Sequence, residues 1–147
     1  MSLELVLVFA LAAPPSAENL QTALDRKGIP IRLSPSSDLR RHTGFLPLDY
    51  EARHTGFYVT QLTYESLTSD YLQAKVPGDA ARSVISLGFG GHFLECASVF
   101  QVASVLVSEF DAQAFDTESA SYMSLGDIKN TAAACQEEAR KQSGGTK

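Results

Sequence analysis

Little in this chain announces a chemistry. Two cysteines occur in 147 residues, Cys96 and Cys135, with no CxxC and no Cys/His pair at metal-ligand spacing. Both lie in apolar helical contexts, where a small thiol packs well, so they read as buried free thiols in a reducing, cytoplasmic compartment. No GxSxG, HExxH or phosphate-loop GKS/GKT string is present, which removes the motif arguments for an esterase nucleophile, a zinc hydrolase or a nucleotide fold. His42, His54 and His92 are not brought by spacing to Asp49 or Glu51, so neither a metal nor another cofactor is expected.

Positive charge is equally scarce where it would matter. No Lys or Arg precedes Arg26, and Glu4 interrupts the opening MSLELVLVFALAAPPSA, so this apolar run reads as a buried strand and not as an export signal. The longest later apolar stretch, Phe93 to Phe110, contains Glu95, Gln101 and Glu109, which disfavours a membrane span. The net charge is −5 and is unevenly divided. Arg26 to Tyr58 holds six basic residues against Asp38, Asp49 and Glu51, whereas Gln61 to Asp127 carries nine carboxylates against Lys75 and Arg82. An acidic surface repels phosphate backbones and anionic lipid, so neither nucleic acid nor membrane is an expected partner, and a basic protein is.

What is present is enough for one domain. An apolar content of 44% with 20% charged residues is that of a globular chain, and one of this length buries about 68–70% of its unfolded surface. The pattern predicts strands at Leu3 to Leu11, Ile29 to Leu33, Phe45 to Tyr50, Phe57 to Leu62, Arg82 to Leu87 and Gln113 to Phe115. Helices are expected after a Ser16 cap, over Glu65 to Gln73, over His92 to Glu109 and over Leu125 to Lys141, the last capped by Ser124 with Asp127 and laid on the sheet edge. Apolar residues ring the third helix, so it should be nearly enclosed. Turns are expected at Val76 to Asp79 and Asp116 to Ser119. The sum is a single α+β domain over residues 1–142, with a mixed sheet, helices mainly on one face, and a flexible tail over 143–147.

The string RHTGF occurs at Arg41 to Phe45 and again at Arg53 to Phe57. Twelve residues is too short for a solenoid unit, so the repeat reads as a hairpin-like pair with Arg41, His42, Arg53 and His54 near one another or on neighbouring edges.

Three functional readings follow. The acidic half supplies a partner-binding face at Glu109, Asp111, Asp116 and Glu118, giving a non-enzymatic protein-binding domain with an acidic surface. The alternative is a small enzyme or anion-binding domain built on the strand-to-helix turn Gly88, Gly90, Gly91 and His92, with Cys96 one turn further on as a thiol beside an imidazole. The third is a homodimer through an uncovered strand at Phe57 to Leu62.

The succession GFLPLDYEARHTGFYV, then LGFGGHFLECASVFQVAS, then QAFDTES, over Gly44 to Ala132, resembles small cytoplasmic immunity proteins of bacterial toxin systems. The resemblance implies a cofactor-free single domain that blocks one cognate toxin, often a basic nuclease. The cations of the repeat, Arg41 and Arg53, depart from a uniformly acidic binding face.

Overall fold

The computed structural model describes residues 3–77 and 82–144. Seven strands form one sheet: β1 (Leu3–Phe9), β2 (Ile31–Leu33), β3 (Gly44–Tyr50), β4 (Arg53–Leu62), β5 (Ser83–Phe89), β6 (Ala112–Asp116) and β7 (Ser121–Met123), in the order β2-β3-β4-β5-β1-β6-β7. The α+β single-domain expectation is met, with one correction. Every pairing is antiparallel, so the sheet is not mixed. The helix α1 (Ala17–Arg26) joins β1 to β2 by crossing the sheet, and β3, β4 and β5 lie between those two strands.

The opening apolar run is an inner strand: β1 pairs with β5 on one side and β6 on the other. Leu5, Leu7 and Phe9 point into one core, and Val6 and Val8 point into another. Burial of both faces is why the run carries no alternation.

The first core lies under α1, α3 (Phe93–Glu109) and α4 (Leu125–Gly144). Helix α3 is buried all round because it is covered by the sheet below and α4 above, and Ala97, Val99, Val102, Ala103 and Leu106 are each 0% exposed. Full burial of such aliphatic side chains is worth about 1.5–3 kcal/mol each. Helix α4 therefore packs on α3 through Ile128, Ala132, Cys135 and Ala139, not on the sheet edge. Ser124 caps it as its spacing predicts, accepting from Asp127 N at 3.1 Å. Helix α4 extends to Gly144, past the expected end, and the last three residues of the expected tail lie outside the described residues.

The second core is smaller. Helix α2 (Tyr64–Asp70) and a 3-10 turn at Leu72–Ala74 cover Val6, Val8, Val84 and Phe115 on the opposite face. The expected turn after Val76 falls largely outside the described residues. Tyr122 closes this core by donating from its hydroxyl to Ala74 O at 2.5 Å.

Both sheet edges are strands of three residues. The β2 edge is closed by a side chain: Gln21 on α1 donates from Nε2 to Ile31 O at 2.8 Å and accepts at Oε1 from Leu33 N at 2.7 Å. Its primary amide imitates the backbone of an eighth strand.

Replacing Gln21 with Ala removes both bonds and should cost about 1–3 kcal/mol, at roughly 0.5–1.5 kcal/mol per net bond. Urea unfolding measures the loss, and sedimentation should detect self-association through the opened edge. A second expectation concerns alkali. Burial pushes the Tyr122 hydroxyl from its ordinary 10.0 up to about 12. A raised folded value means that its stability contribution is complete below pH 10 and is lost as pH climbs from 10 towards 12, because the unfolded chain ionises first. Unfolding free energy measured across that window should fall in the native chain and fall less in Tyr122→Phe.

Candidate functional site

The sequence-predicted acidic face does not assemble. Glu109 ends α3 and is held by Arg26 and, at 3.6 Å, by Lys27, the Arg26 guanidinium keeping its carboxyl below the usual range. Asp111 follows in a left-handed turn with φ 54°. Asp116 and Glu118 lie at the far end of β6, where Asp116 accepts from Glu118 N at 3.1 Å and from Ser119 Oγ at 3.0 Å. Asp116 is the last of the five residues of β6, about 17 Å along the strand from Asp111.

The Gly-rich turn is also taken apart. Gly88 belongs to β5 and lies between Tyr58 and Glu4 in register. Gly90 N donates to Glu95 Oε1 at 3.0 Å, so a carboxylate already occupies the place an anion would take, and Gly91 and His92 stand exposed beside it. The expectation of free thiols is wrong: Cys96 and Cys135 form a disulfide that ties α3 to α4, with Cα atoms 5.9 Å apart. Cys96 is therefore no nucleophile, and the cysteines no longer argue for a reducing compartment, since such bonds persist where conditions are oxidising. The spacing of 39 residues gave no sign of it, because only the packing of α4 on α3 brings the two together.

The repeat also separates its own residues. Strands β3 and β4 form a hairpin in which Tyr50 faces Arg53 and Gly44 faces Val59, so Arg41 and His42 sit at the open end and Arg53 and His54 at the turn. Antiparallel pairing sends the two copies to opposite ends, and their phenylalanines to opposite faces: Phe57 is buried and Phe45 exposed. Strand β4 is paired on both sides, with β3 and β5, so it offers no edge to a second copy. Among the described residues no group of three or more His, Cys, Asp or Glu is placed to hold a metal ion, and no helix is long and apolar enough to cross a membrane.

One surface does come together. Helix α2 covers the second face over β1, β5, β6, β7 and the end of β4 at Leu62, leaving the face of β2, β3 and the rest of β4 open. Phe45 and Tyr58 are cross-strand partners there, 42% and 54% exposed, with ring centroids 5.2 Å apart in an edge-to-face pair. The Phe45 ring lies across Gly56, where an added Cβ would come within 2.6 Å of it and 2.2 Å of Leu46 O, so only glycine leaves room. Pro47, opposite Gly56, continues the apolar strip. Beyond it stands a polar row, Arg32, Asp49 and His54, with His54 Nδ1 2.5 Å from Asp49 Oδ1. Phe45, Pro47, Arg32, Asp49 and His54, with Ser34 and Pro35, line a groove of about 560 Å³, and Tyr58 stands beside it against Phe45.

Sequence reasoning missed this surface, although the alternation of β4 puts Tyr58 and Thr60 opposite the buried Phe57 and Val59. A stronger signal was the shortage of helices: three long ones serve one face and seven residues of α2 serve the other. Comparison with protein-family models, curated proteins and solved structures finds no significant match.

Reduction of the disulfide should leave the helical circular dichroism in place while lowering stability. Closing a loop of 39 residues corresponds to about 4 kcal/mol in the chain-entropy account. Urea unfolding with and without dithiothreitol, repeated on Cys135→Ser, checks this, and an unchanged midpoint in both would show that the link is dispensable.

Proposed function

We propose that this chain is a non-catalytic protein-binding domain that docks its partner on the open face of β2, β3 and β4. A single observation carries the reading: an exposed aromatic pair, Phe45 and Tyr58, is displayed on two hydrogen-bonded inner strands, where the sheet fixes its position. Rigid aromatics lose little conformational freedom on binding and dominate interface energetics. The strip also continues into a groove whose volume lies in the range of about 300–1,000 Å³ usual for ligand sites.

A toxin-neutralising partner is the narrower form of the proposal. It rests on the resemblance to immunity proteins and on the net charge of −5, which favours encounter with a basic protein. In this form the distributed carboxylates steer the approach and the aromatic face holds the complex. A cytoplasmic site of action would need the Cys96–Cys135 bond to form or be dispensable there.

The product of an adjacent gene, co-purified with the chain, provides the test. Tyr58→Ala should weaken the complex by about 2 kcal/mol, roughly thirtyfold, while the fold is retained, because the side chain is more than half exposed. Binding that survives Tyr58→Ala and Phe45→Ala but is lost on charge reversal at Asp116 and Glu118 would move the interface away from this face. A chain that sediments as a dimer, returned to monomer by Tyr58→Ala, would give the face to a second copy.

A further inference from the structure

The chemistry of the occupant can be narrowed, on the reading that the open face is the docking site. Three carboxylates fall in the basic third of the chain, and one of them, Asp49, lines the groove. Asp38 is taken by Arg40 at 3.0 Å, Glu51 by Arg140 at 3.3 Å and Asp49 by His54 at 2.5 Å. Each carboxylate of the basic third of the chain is thus engaged. Arg32, in the wall of the groove and exposed, makes no ion pair among the described residues. In the groove wall Arg32 is thus the exposed cation without a carboxylate partner among the described residues, set beside the Asp49–His54 pair in a chain that is acidic as a whole.

The backbone imposes a second restriction. An extended peptide commonly binds by adding a strand to a sheet edge, but here Ile31 O and Leu33 N are occupied by the Gln21 amide. A partner in this groove must be read by side-chain contact and not by a ladder of main-chain bonds. Polyproline II segments bind in that way: they have no internal hydrogen bonds to satisfy, are stiff before binding, and lie against exposed aromatics. Phe45, Tyr58 and Pro47 form such a surface, and Phe45 and Pro47 share the lining of the groove with Pro35.

We propose that the groove binds an extended, proline-rich segment of a partner protein carrying a carboxylate that pairs with Arg32. The segment lies along the Phe45–Tyr58 strip, its rings against the aromatic pair, and its acidic side chain reaches Arg32 at the polar end. Single-stranded nucleic acid would use the same rings for stacking, but one guanidinium in a chain of net charge −5 does not offset the repulsion of a run of phosphates.

The acetylated and amidated pentapeptides PPEPP, PPQPP and PPKPP are the probes, titrated into the full chain and followed by amide chemical shifts. PPEPP should shift the amides of Arg32, Asp49, His54 and Tyr58 and bind about threefold tighter than PPQPP, the scale of one exposed ion pair, with PPKPP weakest. Arg32→Gln should bring PPEPP and PPQPP to equal affinity without changing the remaining spectrum, and Tyr58→Ala should weaken both. Equal binding of PPKPP and PPEPP, a preference that persists in Arg32→Gln, no shift with any peptide, or stronger shifts with a ten-residue oligothymidine would each overturn the proposal. Peptide failure with partner binding still dependent on Tyr58 rejects only this ligand class; partner binding independent of Tyr58 rejects the face itself.

Discussion

A wide antiparallel sheet must hide two faces, and this chain owns helices for about one and a half. Helices α1, α3 and α4 complete the first face, and α4 adds a further layer over α3. The second face receives only α2 and its 3-10 extension. Most of the other features follow from that imbalance. The strands near the centre, β1 and β5, are covered on both sides and lose their alternation, while β3 and β4 alternate between a buried and a displayed row. Apolar surface left uncovered is tolerated when it is small and rigid, and a larger or ordered patch marks a place of contact.

The same sheet is protected where backbone is at risk and not where side chains are. Its edges are three residues long, and the β2 edge is filled by the Gln21 amide, so hydrogen-bonding groups that would recruit another strand are satisfied within the chain. The aromatic strip has no comparable cover. Phe45 partly covers the neighbouring strand by lying over Gly56, an arrangement that only glycine allows, and this lowers the exposure of the backbone without hiding the ring. A fold that fills its β2 edge and shortens its β7 edge to three residues, while leaving two aromatic rings in water, favours association by side-chain contact at one place.

Element type was legible where pattern is local. The β1 run, the Ser124 cap, the enclosed α3 and the outward alternation of Tyr58 all follow from neighbouring residues. The hairpin of β3 and β4 was expected from the repeat, but what holds its turn, and what failed elsewhere, was set by partners distant in sequence. The β3–β4 turn is Glu51-Ala52, two residues at φ 52° and 64° without the Asn-Gly or Asp-Gly that normally signals such a turn. It is held from outside, since Glu51 N donates to Pro30 O at 2.9 Å and its carboxylate meets Arg140 of α4. The disulfide likewise depends on α4 lying on α3, and the acidic quartet was divided because β6 runs between its members. The repeat misled in a more instructive way: identical strings imply identical surroundings only when the strands run the same way, and a hairpin reverses one of them.

Charge shows why a total is a poor guide to a site. The chain carries −5, yet the carboxylates of its basic third each have a cation or an imidazole as partner, and Arg32 is the exposed cation of the groove wall that has no ion pair among the described residues. Over distances beyond the screening length of about 8–10 Å, an approaching protein meets the net field, while in contact it meets Arg32, Phe45 and Tyr58. Long-range attraction and short-range fit can therefore select different properties of one partner: a basic body, and an acidic, proline-rich segment upon it. A toxin with a cationic surface and such a segment would satisfy both. A partner lacking the segment could still be drawn to the chain, but it would have no means of using the only large aromatic pair that the described residues present on the open face.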